Sequence, residues 1–144
     1  MLNEIVSKQA PLKLKEFRGV SLDYINKLEA IGIRNVKEMI VAERTHNGRQ
    51  ELAARSGVPV DTILELVKLS DLARIQGVKG IRARLYHDAG VDTIEKLAEW
   101  KPEELITMLD KFVKKTRFNG IAPLPKEAKN TVEMAKRLPR IVEY

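Results

Sequence analysis

Apolar positions recur along most of this chain at helical spacing. Leu22, Ile25, Leu28 and Ile31 fall three apart, which predicts an amphipathic helix with one buried face. Gly32 follows and suits the left-handed residue that closes a helix. Asn35 stands where a side chain caps the next helix, and Glu38, three residues on, completes a capping box. Residues 49–56 form a short helix stopped at Gly57. Pro59 opens another, with Ile63, Leu66, Val67 and Ser70 inward, running to about Ile75. In the later half, residues 81–89 form a helix closed by Gly90, and Asp92 or Thr93 caps a helix that buries Ile94, Leu97 and Ala98. Pro102 begins a further helix with Glu103 and Glu104 in its first turn, where acids are favoured. Residues 126–138 form the last. The stretch 112–125, with Gly120, Pro123 and Pro125, reads as a loop, and Asn47-Gly48 and Asn119-Gly120 read as mobile loops. Ile5-Val6 and Ile141-Val142 are β-branched with polar flanks, which admits a short two-stranded pairing of the ends.

The two halves share a register. Gly19/Gly77, Gly32/Gly90, Val36/Ile94 and Met39/Leu97 are pairs each separated by 58 positions. Leu66/Val132, Leu69/Ala135, Leu72/Leu138 and Ile75/Ile141 are each 66 apart, so the second half carries extra residues before its last helix. Glycines and apolar residues recurring together imply a shared backbone path. The expectation is an all-α fold of about eight to ten short helices in two related units, 1–72 and 73–144, fused into one body.

Composition narrows the class. With 44% hydrophobic and 32% charged residues, the chain has the make-up of a folded globular domain. It has no cysteine, which excludes disulfides, thiolate chemistry and cysteine-bound metals. No apolar run nears the roughly 20 residues of a membrane span, and Met1-Leu2-Asn3-Glu4 lacks the features of a secretory signal. These features point to a cytoplasmic protein without a membrane partner; a monomer is favoured, and no cofactor or metal is expected. The net charge of +6 is lopsided: residues 1–72 hold 11 Lys/Arg against 10 Asp/Glu, whereas residues 73–144 hold 15 against 10. A basic half favours anionic partners.

The densest chemical signal runs from Ile75 to Ala83. Gly77 and Gly80 let the chain turn tightly between two helices. The first amides of the following helix lack internal partners and sit at the positive end of its dipole, where a phosphate is accepted. Lys79, Arg82 and Arg84 lie close enough in sequence to add charge, and Val78 belongs to the same candidate binding stretch. This stretch resembles the helix-hairpin-helix motif, which reads Gly-hydrophobic-Gly with Ala four residues later; the second glycine falls on Lys79 here, and Ala83 holds its place. The first unit offers Gly19-Val20-Ser21 with Ile25 in the Ala position.

A longer stretch is more specific. Leu52-Ala53-Ala54, Gly57-Val58, residues 63–67, residues 71–78, residues 89–93 and the ending at 135–142 resemble the family known as domain of unknown function 4332, over about residues 49–144. That resemblance implies a helix-hairpin-helix-related fold and no established activity. Helix-hairpin-helix domains bind the duplex backbone without reading sequence, or hold proteins together. Two functions therefore compete: a non-catalytic module gripping nucleic acid, double-stranded DNA first, through Gly77, Val78, Lys79, Gly80, Arg82 and Arg84, assisted by Gly19 and Ser21; or a protein-interaction scaffold with purely structural hairpins. The first requires Lys79, Arg82 and Arg84 to share one exposed patch with free amides. The second requires an exposed apolar patch and a hairpin buried between units.

Other readings are weaker. Residues 52–63 have helix-turn-helix spacing, but the exposed positions of the would-be recognition helix include Asp61 and Glu65, which face phosphates badly. Residues 111–118 interleave Phe112 and Phe118 with cations, a pattern for base stacking or, more simply, for core anchors. Trp100 reads as a packing anchor. His46 and His87 lack metal-ligand spacing, and the adjacent Glu103 and Glu104 diverge on a helix, so no enzyme is expected.

Overall fold

A computed structural model describes residues 11–144. A 3-10 turn (Leu14–Glu16) precedes eight α-helices: α1 (Leu22–Ala30), α2 (Val36–Glu43), α3 (His46–Ser56), α4 (Val60–Leu72), α5 (Gly80–Asp88), α6 (Ile94–Ala98), α7 (Pro102–Thr116) and α8 (Pro125–Arg137). The described residues form no strand; one isolated antiparallel bridge joins Lys13 and Asn35. The all-α class predicted by the spacing is what forms.

The stops are set by glycine. Gly32, Gly57 and Gly90 adopt φ of +93°, +78° and +96°, a region that an L side chain enters only with strain. The starts are set by short polar side chains. Asn35 accepts the Glu38 amide, Thr45 accepts that of Gly48, and Thr93 accepts that of Lys96. Thr93 is therefore the cap of α6, and Asp92 instead takes Lys68 and Lys96. Glu38 reaches past Asn35 to the Arg34 amide, so the expected capping box closes one residue early.

The interior is built around α4. Ile63, Leu66, Val67, Leu69, Ser70, Asp71 and Leu72 are all buried on it, because α2, α3 and α5 pack against different faces. At the start of α4, Val60 and Asp61 are exposed, so the face that the helix-turn-helix reading would turn to phosphates carries an acid, as the sequence reading held. Helices α6 and α7 both pack on α8. One hydrophobic cluster takes in side chains from Leu14 to Val142. Each aliphatic side chain so buried contributes roughly 1.5–3 kcal/mol.

Several sequence expectations change. Leu22 and Ile31 are exposed; only Ile25 and Leu28 of that stripe are buried, since α1 packs as a narrow two-residue seam. Helix α3 starts at His46, with Asn47-Gly48 in its first turn instead of a loop, because Thr45 supplies the cap. Pro59 occupies the N-cap position, and α4 ends at Leu72. Helix α7 runs on through residues 112–116 and closes at Arg117, whose φ of +57° serves where glycine usually would. Ile5-Val6 lie outside the described residues. Ile141-Val142 belong to no strand: Val142 is buried, the Glu143 amide donates to the Arg44 carbonyl, and the Tyr144 hydroxyl donates to Asp71.

Glu43 is the outlier of the interior. Its side chain is buried beside Arg49, one carboxylate oxygen has no hydrogen-bond partner, and desolvation pushes its carboxyl up to about 7 against the partial relief of Arg55. The folded state therefore holds a proton that the unfolded chain releases near 4.5, and stability falls as pH rises from about 4.5 to about 7. One pKa unit is worth about 1.4 kcal/mol. Urea unfolding at both ends of this window should show Glu43→Gln losing about 2 kcal/mol less than the parent; equal losses would mean that Glu43 is ionised throughout.

Candidate interaction surface at the 77–80 turn

The chain passes from α4 to α5 through successive tight turns. Arg74, Ile75 and Val78 each donate an amide to the carbonyl three residues back, and Gly77, at φ +91°, makes the reversal. Val78 plugs into the core, and Lys79 is extended and exposed as the N-cap residue of α5, with no side-chain cap bond. Gly80 begins α5 with its back against the first half: a Cβ there would lie 2.5 Å from the Glu16 carbonyl oxygen. At Gly77 nothing lies within 4 Å of the same position, so this face of the turn is open. The earlier turn lies alongside, since a Cβ on Gly19 would sit 3.1 Å from the Arg84 guanidinium carbon. Ser21, beyond it, is exposed and makes no cap bond.

Two of the three expected cations are turned inward. Arg84 is only 6% exposed. Its guanidinium donates to the Arg18 carbonyl and to the carboxylates of Glu65 and Asp88, tying α5 to the first turn and to α4. Arg82 pairs with Glu127 through two nitrogens and donates to the Ile121 carbonyl, and the bond to Glu127 holds its proton more tightly than usual. Lys79 is thus the one expected cation that stays free, with Gly77, Val78 and Gly80 in the same turn and Gly19 and Ser21 next to it. The sequence missed that both arginines would find carboxylates, which lie 19 and 45 residues away.

What surrounds the turn instead is apolar. Ile81 is 50% exposed, Ile121 70% and Leu124 68%, the last two being the most exposed large apolar side chains among the described residues. Ile81 reaches toward Gly120, with Cγ2 3.4 Å from where its Cβ would be, and Arg82 fixes the Ile121 carbonyl. A crevice of about 380 Å³ opens between the turn and α8, lined by Gln76, Gly77, Leu124, Lys126, Asn130 and Thr131, with Glu127 at its wall. Ile121 and Leu124 escaped the sequence reading because they lie in a Pro/Gly-rich loop without helical period. Isoleucine and leucine in such a loop, between cations, were the signal available.

The other candidates resolve into structure. Phe112 and Phe118 are half-buried against the core with ring centroids 6.3 Å apart, and Arg18 sits 5.0 Å over Phe118. Trp100 is half-buried against the same core. His87 pairs with Asp88, and His46 with Gln50. Among the described residues no group of three His, Cys, Asp or Glu side chains could hold a metal ion, and no helix is long and apolar enough to cross a membrane.

No curated protein and no solved structure matches the chain. A family model does, and it reaches into the first half, beyond the stretch where the likeness was legible. Matched over residues 18–138, the chain belongs to the family described as Domain of unknown function (DUF4332).

Proposed function

We propose that this chain is a non-catalytic protein-interaction module of helix-hairpin-helix descent, acting in the cytoplasm, with its docking surface beside the 77–80 turn. One observation carries the reading: the arginines that would have gripped phosphate are committed to internal carboxylates, while Ile81, Ile121 and Leu124 stand exposed around the same turn. Exposed large apolar side chains grouped in this way mark protein contacts. The turn itself is closed on one side by the backbone of the first half, as a structural hairpin requires.

A second reading has its own support. Lys79 and Ser21 leave the first amides of α5 and α1 without side-chain caps, and the second half is basic, so nucleic acid could be held by backbone amides and lysines. A photo-crosslinking residue placed at Ile121, with Lys37 on α2 as the control position, separates the two in cells that make the protein. The expected result is a protein adduct at Ile121 that survives nuclease, is absent at Lys37 and disappears with Leu124→Ser. An adduct removed by nuclease would favour the second reading, and no adduct at Ile121 would end the first.

A further inference from the structure

We propose that the crevice between the 77–80 turn and α8 takes an acidic linear segment of a partner protein, with apolar side chains seated on Ile81, Ile121 and Leu124 and carboxylates on the surrounding lysines. This rests on the protein-interaction reading and names the chemistry of its partner.

Shape comes first. The crevice holds about 380 Å³, with Leu124 on one side and the open face of Gly77 on the other. A glycine whose Cβ direction is empty lets another backbone approach closely. That space suits one or two side chains of a peptide, not a folded domain.

Charge decides the partner. The crevice is lined by one cation, Lys126, and one acid, Glu127. Arg82 takes up that one carboxylate from within the fold. Lys126, which lines the crevice, and Lys79, in the adjoining turn, are exposed and have no ion-pair partner among the described residues. That leaves two unpaired lysines, Lys79 and Lys126, beside Leu124 and its exposed apolar neighbours, with the one lining carboxylate already held by Arg82. A basic segment would be repelled, an uncharged one would leave the lysines uncompensated, and a bare polyanion would leave the three apolar side chains in water. An apolar segment flanked by Asp and Glu satisfies both parts. A second copy docking through the same face would bring the same lysines and be repelled.

The test is a displayed library of random twelve-residue peptides selected on the full chain, with enriched peptides then titrated by fluorescence anisotropy. The expected winners carry at least two large apolar residues and a net negative charge. Their affinity should fall about tenfold with Leu124→Ser and about tenfold with Lys126→Glu, and should weaken with salt. Both positions are exposed, so these variants keep the fold. Neutral or basic winners, no enrichment, or winners indifferent to both substitutions would overturn the proposal. A labelled duplex that binds the parent and Leu124→Ser alike but not Lys126→Glu would assign the lysines to nucleic acid and overturn it too. Self-association lost on Leu124→Ser would assign the patch to a second copy and would equally overturn the proposal. If the Ile121 adduct is a protein but the winners are not acidic, only this proposal fails; without a protein adduct, the reading beneath it fails.

Discussion

Asp71→Ala should lower the unfolding free energy by about 4 kcal/mol, which for a chain of this length moves the thermal midpoint down by about 10 °C. Asp71 and Arg74 form an ion pair at 2.8 Å with both side chains 2% exposed. The Tyr144 hydroxyl donates to the other Asp71 oxygen, and Arg74 also donates to the Pro139 carbonyl. Burial pushes the Asp71 carboxyl above its ordinary range even though Arg74 and Tyr144 pull it down, which shows how much desolvation this site bears. Removing the carboxylate takes away the charge that Asp71 sets against the buried guanidinium, and breaking such a pair costs far more than the pair contributes. Asp71→Asn, which keeps the shape, should lose roughly half as much, and Asp71→Leu with Arg74→Met should lose less than the sum of its parts. Thermal unfolding followed by circular dichroism reads all three. A loss under about 1 kcal/mol for Asp71→Ala would mean that water reaches the pair.

Arg84→Met should cost about 3 kcal/mol, and this number also bears on function. An arginine displayed for phosphate binding is a surface residue, and replacing it changes stability by no more than about 0.5 kcal/mol. Arg84 instead holds the Arg18 carbonyl at 2.7 Å and the Glu65 carboxylate at 2.8 Å, so methionine would strip a partly buried carbonyl of its donor, take the cation from Glu65 and leave Asp88 with His87 alone. Glu65 and Asp88 keep some access to water, which makes the expected loss smaller than at Asp71. Urea unfolding of the variant separates the two cases. A large loss keeps Arg84 inside the fold; a negligible one would return it to the surface and revive the phosphate grip.

How far the sequence could be read depended on the range of the interaction. Signals that act within one turn were legible. The glycines at 19, 32, 57, 77 and 90 all take positive φ, and Asn35 caps where its position and chemistry predict. Pro102 sits at the start of its helix. Faces set by distant packing were not legible. Helix α5 carries two arginines and an acid, yet Ala83, Arg84, Leu85 and Tyr86 are consecutively buried because α4 lies on one side and the first turn on another. Asp88, four residues on in the same helix, is the one partner of Arg84 that local spacing offers; Glu65 and Glu127 come from other helices, and no local pattern announces those pairings. The same holds for the surface: Leu22 and Ile31 belong to an apolar period and are exposed, whereas the docking patch uses loop residues with no period at all.

The polar interior of the first half closes on residues made much later. Arg49 donates to the Glu143 carbonyl, 94 positions on, and Asp71 receives Tyr144, 73 positions on. A loop of that length closes slowly, since its ends must find each other across most of the chain. On the ribosome, α2, α3 and α4 emerge with Arg44, Arg49 and Asp71 still waiting for partners that have not been translated. The first half of this protein is thus finished by its second, and in a nascent chain these contacts stay open until residues 142–144 leave the exit tunnel.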